Sequence, residues 1–307
     1  MKDFFKILVD EIGRVLLGKE DKIKLALTCL LADGHLLIED LPGMGKTTLS
    51  HALAKVLGLS YNRVQFTSDM LPADILGLSI FDVQQQQFSF HQGPIFTQVL
   101  LADEINRTTP KTQSALLEAM EERQVTGEGK TYMLPQPFFV IATQNPMSQM
   151  GTYPLPESQL DRFLMRISIG YPDPETEKLL YKGGDAREQL AHLQVSLSAE
   201  RIKEIKQAIQ NIKVSDSLAD YVQRLVSYTR TTEEVVVGLS PRGAMALIKA
   251  AKTWAYIHER AYVVPEDVQY LFTPVVAHRL LPKGSQQVFA QENLARKILL
   301  AVPVIKE

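Results

Sequence analysis

Apolar residues at the start of the chain recur at intervals of three and four, which is the spacing of one face of an α-helix. This spacing predicts two helices between residues 2 and 32. Their apolar positions are Phe5, Leu8, Ile12, Ile23, Leu27 and Leu30. The segment Leu17-Gly18-Lys19 lies between the two stretches, and its glycine predicts a break in the helical pattern.

Short apolar runs alternate with helical stretches in the next part of the chain. The runs predict strands at 35–39, 61–66, 98–102, 138–142 and 163–169. Helical spacing over 46–57 and 110–122 separates some of these strands. Strands that alternate with helices are typical of a mainly parallel sheet between two layers of helices. We therefore predict an α/β fold with a mainly parallel sheet that is covered by helices on both faces.

Two segments interrupt this alternation and predict β-hairpins. Residues 75–95 alternate in polarity around the polar tract Gln84–Gln87. Residues 124–135 contain the turn signal Gly127-Glu128-Gly129. Neither hairpin is needed for an alternating α/β fold, so both are predicted to be inserts.

The pattern becomes helical after Tyr171. Asp173-Pro174-Glu175 supplies an N-cap, a first-turn proline and a first-turn acid, so a helix is predicted to begin there. Three helical stripes follow, with apolar positions at Ile202, Ile205, Ile209 and Ile212, at Leu218, Val222, Leu225 and Val226, and at Ala244, Leu247, Ile248, Ala251 and Trp254. We predict two domains, an α/β core with hairpin inserts at 1–173 and an all-helical domain at 174–307.

Composition and charge exclude several classes of protein. Of 307 residues, 45% are hydrophobic and 22% are charged, which is typical of a globular protein rather than a disordered one. The formal charge of −2 provides no general attraction to nucleic acid or anionic lipid. The single cysteine, Cys29, excludes an internal disulfide. Since no apolar run approaches the ~20 residues of a membrane span and no signal peptide is recognisable, we expect a cytoplasmic protein that does not depend on nucleic acid.

The segment Leu41-Pro42-Gly43-Met44-Gly45-Lys46-Thr47-Thr48 lies between a predicted strand and a predicted helix, the context of a phosphate-binding loop. Backbone N–H groups at a helix start bind anions, Lys46 would contact the β and γ phosphates, and the Thr47 hydroxyl would bind Mg²⁺. One position departs from the motif, because Asp40 stands where the first glycine belongs. We expect the loop to keep its path with the Asp40 carboxylate turned outward.

Three polar residues follow two further predicted strands. The apolar run from Val99 ends in Asp103 and Glu104, and the run from Phe139 is followed by Asn145. In a parallel sheet these strand ends form the ligand-binding edge. Asp103 would hold the magnesium ion through water, Glu104 would act as the base on the attacking water, and Asn145 would orient that water. Alternatively, the acid pair is a helix N-cap and Asn145-Pro146 is a turn.

Together these segments resemble the AAA+ ATPases and, within them, the MoxR family. The residues that carry the resemblance are Gly34 to Thr47, Asp103-Glu104-Ile105-Asn106-Arg107, Pro110 to Met120, Ala142 to Pro146 and Leu155 to Phe163. The similarity extends from about Val15 to about Leu281. It implies an AAA+ core with a five-stranded, mainly parallel sheet and a helical lid domain. It also implies Mg²⁺-dependent hydrolysis of ATP to ADP and phosphate, and assembly into a ring, usually a hexamer, with ATP between subunits.

The resemblance also assigns arginines to the site. Arg162 matches the arginine finger, the cation that a neighbouring subunit donates to stabilise charge on the transferred phosphoryl group. Arg166 and Arg107 are alternatives for this role. Arg242 matches the sensor-2 arginine of AAA+ lids. Arg242 follows Ser240-Pro241 in the first turn of a predicted helix, where the helix dipole disfavours a cation, so a nearby phosphate would explain its position. A solvated arginine is the alternative.

Two further expectations depend on the resemblance. Leu17 and Gly18 match the segment that surrounds adenine in such proteins, although core packing explains Leu17 equally well. The two predicted hairpins resemble inserts that face the ring axis or the client protein.

Three functions are compatible with these features. The first is a chaperone-like remodeller that assembles or activates partner proteins, possible clients being proteins with a von Willebrand factor A domain, as in MoxR-like systems. The second is a nucleic-acid-associated motor, which the net charge of −2 disfavours. The third is a nucleotide-gated binding module with little turnover, for which Asp40 is the only indication.

Overall fold

The computed structural model describes residues 4–84, 86–146, 151–181, 186–194, 197–284 and 288–305. The N-terminal part contains the following elements: α1 (Phe4–Gly13), α2 (Glu20–Leu31), β1 (Leu36–Glu39), α3 (Lys46–Val56), β2 (Tyr61–Gln65), α4 (Pro72–Leu76), β3 (Gly77–Asp82), β4 (Gln87–Gln92), β5 (Val99–Asp103), α5 (Pro110–Glu122), β6 (Gln124–Gly127), β7 (Lys130–Met133), β8 (Phe139–Gln144), α6 (Glu157–Leu160) and β9 (Met165–Ile167).

The C-terminal part contains mainly helices: α7 (Pro174–Tyr181), α8 (Ala186–His192), α9 (Ala199–Gln210), α10 (Asp216–Thr231), β10 (Val235–Val237), α11 (Pro241–Ile257), α12 (Pro265–Val276), β11 (Leu281–Pro282) and α13 (Val288–Ala301). The all-helical prediction therefore needs one correction, because β10 and β11 form a short antiparallel pair. In the described part of the chain, no helix is both long and apolar enough to cross a bilayer.

The predicted five-stranded sheet is confirmed. Its strand order is β2-β5-β8-β1-β9, and all four pairings are parallel. Every residue of β5 is buried, as expected for a strand covered on both faces. Because the strands are parallel, the chain leaves all of them at one edge of the sheet, here called the carboxyl edge, and enters them at the other, the amino edge.

Both predicted hairpins are present. β3 pairs with β4, and β6 pairs with β7 through a turn in which Glu128 and Gly129 have positive φ. The stacked rings of Phe90 and Tyr132, with centroids 4.1 Å apart, join the two hairpins. The predicted segment of the first hairpin began at residue 75, but residues 75 and 76 belong to the short helix α4.

The predicted N-cap of α7 is also confirmed, since Asp173 Oδ1 accepts hydrogen bonds from the backbone N–H groups of Glu175 and Thr176. The boundary between residues 173 and 174 stays a prediction, and it falls in the connection between β9 and α7.

The turn before β1 fixes the end of α5 at the amino edge. His35 is buried, its Nε2 lies 3.2 Å from the Met120 carbonyl, and its Nδ1 accepts a hydrogen bond from the N–H of Val140. Burial lowers the pKa of His35 to about 4, so the ring is neutral near pH 7 and Nε2 is the donor to Met120. The last turn of α5, including Glu121, therefore lies at the opposite edge from the predicted phosphate loop.

Candidate active site

The predicted phosphate loop connects β1 to α3 at the carboxyl edge. Gly45 caps α3 in the left-handed conformation, with φ of +86°, and Lys46 is the first residue of the helix. The left-handed backbone favours glycine, and a Cβ at Gly45 would lie 2.7 Å from Leu16 Cδ1, so the Leu16 side chain would have to shift. The free N–H groups of the first helical turn can bind an anion here.

The remaining loop residues differ in exposure. Pro42, Gly43 and Thr47 are exposed, whereas Met44 and Thr48 are partly buried, and Met44 packs against the main apolar core. The exposure of Thr47 leaves this threonine accessible to a metal ion bound beside the loop.

Lys46 lies close to three carboxylates. Its Nζ donates a hydrogen bond of 2.8 Å to the Asp40 carbonyl. Burial lowers the pKa of Lys46, while the negative charges of Asp103, Asp40 and Glu104 oppose that shift. The predicted lysine, metal-binding aspartate and catalytic glutamate are thus close enough to interact electrostatically at one edge of the sheet.

The expectation for Asp40 was wrong. Its carboxylate turns inward, and the residue is only 8% exposed. Oδ2 accepts hydrogen bonds of 2.7 Å from the N–H groups of Ile169 and Gly170, while Oδ1 accepts one from Leu41. Asp40 is not among the described residues with positive φ, so this loop does not need glycine conformational freedom at that position.

Thr143 connects the two acidic residues at the end of β5, Asp103 in the strand and Glu104 directly after it. Its Oγ1 donates a 2.6 Å hydrogen bond to Asp103 Oδ1 and accepts a 2.9 Å hydrogen bond from the Glu104 backbone N–H. The second carboxylate oxygen of Asp103 forms a 2.7 Å ion pair with Arg63 of β2. The position of Asp103 is therefore fixed from both neighbouring strands.

Glu104 has an unusual backbone conformation, with φ of 57° and ψ of 48°. Such values are uncommon for a residue other than glycine, and they direct the chain away from the end of β5. Its Oε2 accepts hydrogen bonds of 2.9 Å from Gln65 Nε2 and 2.8 Å from Arg107. Arg107, one of the alternatives to Arg162, is thereby bound to the acid of its own chain.

Arg63, Gln65 and Thr143 are site residues that sequence reasoning missed. Gln65 pairs in register with Asp103, so β2 brings Arg63 and Gln65 beside the acid pair. The only signal for them was that β2 is a predicted strand of the same sheet. The sequence does not say which strand lies next to which. Asn145 follows β8 directly and is partly buried, so it too lies at the carboxyl edge.

The segment around Leu17 and Gly18 lies next to the phosphate loop, through the contact between Leu16 and Gly45. Leu17 is partly buried. Gly18 has φ of +66°, and a Cβ there would lie 2.8 Å from Thr176 Oγ1. The left-handed backbone already explains the glycine, and the position beside the loop is compatible with a base contact.

The two predicted arginines, Arg162 and Arg242, lie together at the amino edge. Arg162 Nε and Arg242 Nη1 bind the two oxygens of Glu121 at 2.9 and 3.0 Å. Asp161, 3.9 Å from Arg242 Nε, adds a second negative charge. The negative charges of Glu121 and Asp161 stabilise Arg242 in the first turn of α11. No phosphate is therefore needed to explain the position of this arginine. Within the described residues, no ion pair or hydrogen bond connects either arginine to the phosphate loop of its own chain.

The third alternative, Arg166, is buried inside the core. It forms a 3.2 Å ion pair with Glu39, and both side chains are at most 10% exposed. Burial raises the pKa of Glu39 and lowers that of Arg166, as expected for two charges removed from water. Because it is enclosed, Arg166 cannot reach a neighbouring subunit.

Comparisons with known proteins identify the family. Residues 35–165 match the family model of ATPases associated with various cellular activities, and residues 227–298 match an AAA lid domain. The chain is 45% identical to the protein YeaC of Bacillus subtilis, covering 96% of this chain and 93% of that protein. It is 40% identical to the chaperone MoxR1 of Mycobacterium tuberculosis, covering 88% of this chain and 74% of that protein. The chain belongs to the MoxR family of AAA+ ATPases.

The fold agrees with this assignment. A crystal structure from Cytophaga hutchinsonii, described as that of a candidate ATPase, has a TM-score of 0.86 and 36% identity to this chain. The match covers 99% of this chain and 96% of that one. Membership of the AAA+ family implies nucleotide binding and, in general, ATPase activity.

The donor set at the carboxyl edge fits a magnesium nucleotide. Asp103 and the Thr47 hydroxyl offer hard oxygen ligands, and the start of α3 offers N–H groups to phosphate. In the described ranges, no group of three or more His, Cys, Asp or Glu side chains could hold a metal ion. Mg²⁺ commonly binds through one or two protein oxygens together with substrate phosphates, so such a cluster is not required.

We expect the Thr143 hydroxyl to be the main polar support of the acid pair. Thr143→Val keeps the shape of the side chain but leaves Asp103 Oδ1 and the Glu104 N–H without this partner. The free energy of unfolding should fall by roughly 1–3 kcal/mol in urea denaturation. Thr143→Ser keeps the hydroxyl and should lose only about 1 kcal/mol through the missing methyl group. Equal losses in the two variants would contradict this role.

Proposed function

We propose that this MoxR-family protein is a Mg²⁺-dependent ATPase that hydrolyses ATP to ADP and phosphate. The observation that supports this most strongly is that Lys46, at the start of α3, and Asp103 and Glu104, at the end of β5, lie at the same edge of the sheet, where their charges interact. A lysine and two carboxylates at this position supply the phosphate contact, the metal ligand and the base that phosphoryl transfer to water needs.

Each residue of the carboxyl edge has a defined role in this proposal. The N–H groups of residues 43–48 and the Lys46 ammonium bind the phosphates, and Leu17 and Gly18 contact the adenine. Thr47 binds Mg²⁺ directly, and Asp103 binds it through water. The bound ion stabilises negative charge on the phosphate oxygens.

Glu104 takes a proton from the attacking water, and Asn145 orients that water. Glu104 must first exchange its hydrogen bonds, because Oε2 is bound to Gln65 and Arg107 in this structure. Catalysis therefore requires a rearrangement in which water replaces at least one of these two donors.

Completion of the site requires a second subunit. Arg162 and Arg242 lie at the amino edge, and β1 alone, with four residues, separates the two edges by roughly 13 Å at about 3.3 Å per residue. Their present partner, Glu121, is also at the amino edge. We propose a ring, most simply a hexamer, in which the amino edge of one subunit faces the phosphate loop of the next. Arg162 then acts as the finger, with Arg242 beside it.

We further propose that the ATPase cycle drives a chaperone-like remodelling of a partner protein in the cytoplasm, possible clients being proteins with a von Willebrand factor A domain. A relative with 40% identity is named a chaperone. The first hairpin offers a suitable contact surface, because several large apolar side chains there are exposed. They are Leu78, Ile80, Phe81, Val83 and Phe88.

Lys46 and Glu104 are expected to separate binding from hydrolysis. Glu104→Gln should bind ATP with nearly unchanged affinity, but its kcat should fall on the order of 10²-fold or more because the base is lost. Lys46→Ala should lose affinity for ATP itself. Titration calorimetry with ATP and Mg²⁺ and a phosphate-release assay measure the two effects. Unchanged turnover in Glu104→Gln would remove Glu104 from the base role.

Mixing two inactive variants tests the shared site. Arg162→Ala lacks the finger and Glu104→Gln lacks the base, but an interface between them can contain an intact pair. Equal amounts should restore about a quarter of the active interfaces if subunits mix at random. Lys46→Ala mixed with Glu104→Gln is the matched control, since both defects lie on the same side of the interface. Absence of rescue at every ratio, or rescue in the control, would count against the shared site.

A further inference from the structure

Both oxygens of the Asp40 carboxylate accept hydrogen bonds from backbone N–H groups. Oδ1 accepts the Leu41 N–H at 3.0 Å, and Oδ2 accepts the consecutive N–H groups of Ile169 and Gly170, both at 2.7 Å. Two consecutive N–H groups that point at one oxygen form a small anion-binding concavity. Gly170 has φ of +71°, and this left-handed conformation suits such a turn. The carboxylate thus fills a site built by the chain that leaves β9.

The main chain of the same residue contacts the phosphate-binding lysine. Lys46 Nζ donates to the Asp40 carbonyl at 2.8 Å. Asp40 therefore has one bond to the lysine and two bonds to residues 169–170. With glycine at this position, as in the usual phosphate-loop motif, the bonds to residues 169–170 would not exist.

Residues 169–176, here called the coupling segment, connect β9 to the first turn of α7. A second part of the candidate site touches the same segment. Lys19 Nζ donates a 2.6 Å hydrogen bond to the Tyr171 carbonyl, and Gly18 packs closely against Thr176. The phosphate loop and the segment beside it thus both contact the residues that precede the C-terminal domain.

We propose that Asp40 is a positioning residue that couples phosphate binding at Lys46 to the coupling segment and so to the C-terminal domain. This inference rests on the proposed nucleotide site. Phosphate oxygens compete with the Asp40 carbonyl for Lys46 Nζ. When the hydrogen bond between Lys46 Nζ and the Asp40 carbonyl breaks, the main chain at Asp40 can move away from Lys46. The Asp40 carboxylate stays bound to Ile169 and Gly170. A shift of the loop therefore moves the coupling segment. By linkage, a change in the segment alters nucleotide affinity equally.

Distance measurements between the two domains test this coupling. Glu118 in α5 and Leu300 in α13 are exposed, and replacing both with cysteine allows nitroxide labelling, while Cys29 is buried and unreactive. The labelled protein is diluted into unlabelled protein, so that only distances within one chain are recorded. Double electron–electron resonance is measured with and without the non-hydrolysable analogue AMP-PNP and Mg²⁺, and binding of the same analogue is measured by calorimetry.

In the parent protein, the analogue should shift the distance distribution. Asp40→Gly should keep the affinity for the analogue within about tenfold but lose the shift. Asp33→Gly is the matched control. The Asp33 carboxylate binds Arg123 and, at 2.7 Å, Lys206 of the C-terminal domain, and within the described residues no hydrogen bond or ion pair connects it to the phosphate loop. This control should retain the shift.

Several outcomes would overturn the coupling role. These are a full shift in Asp40→Gly, loss of the shift in Asp33→Gly, or loss of analogue binding in Asp40→Gly, which would make Asp40 part of the binding site. A parent protein that binds the analogue without any shift would overturn the coupling alone. A parent that does not bind the analogue would overturn the proposed function as well. If Asp40→Gly does not fold, Asp40→Asn, which keeps one acceptor oxygen, should reduce the shift, and an unchanged shift would contradict the proposal.

Discussion

The parallel pairing of β8 with both β1 and β5 is the constraint on which the candidate site depends. β8 aligns Thr143 with Ile38 on one side and Ala142 with Ala102 on the other. This register brings the start of α3, which follows β1, and the acid pair, which follows β5, to the same edge. Thr143 then fixes Asp103 and the Glu104 backbone by two hydrogen bonds. A strand shifted by one residue would turn these side chains to the opposite face of the sheet.

The same sheet separates the functional groups into two sets. The phosphate loop and the acids lie at the carboxyl edge, whereas Arg162 and Arg242 lie at the amino edge with Glu121. In the proposed mechanism, a single chain therefore has Lys46 for phosphate binding and Glu104 for proton transfer, but it does not place the two arginines at its own nucleotide. In the proposed ring, each subunit supplies both sets, one to its own nucleotide and one to the next, so that hydrolysis depends on assembly.

Much of the fold follows from local patterns in the sequence. The five strands are short apolar runs, and the phosphate loop, Asp103 and Glu104 stand in characteristic positions after two of them. The sequence pattern does not reveal site residues whose role depends on strand order. Arg63 and Gln65 are examples, since they reach the acids only through the pairing of β2 with β5. Asp40 was misjudged for a similar reason. Its partners, Ile169 and Gly170, are distant in sequence, and nothing near residue 40 reveals them.

The most direct test is an electron cryomicroscopy structure of Glu104→Gln with ATP and Mg²⁺. We expect a closed ring in which the phosphates lie at the start of α3 beside Lys46 and Asp103. In that ring, Arg162 of the adjoining subunit has left its own Glu121 and contacts the same nucleotide. A nucleotide bound elsewhere in the chain would contradict the proposed site. A loaded protein that stays a single chain, with Arg162 still paired to Glu121, would contradict it equally.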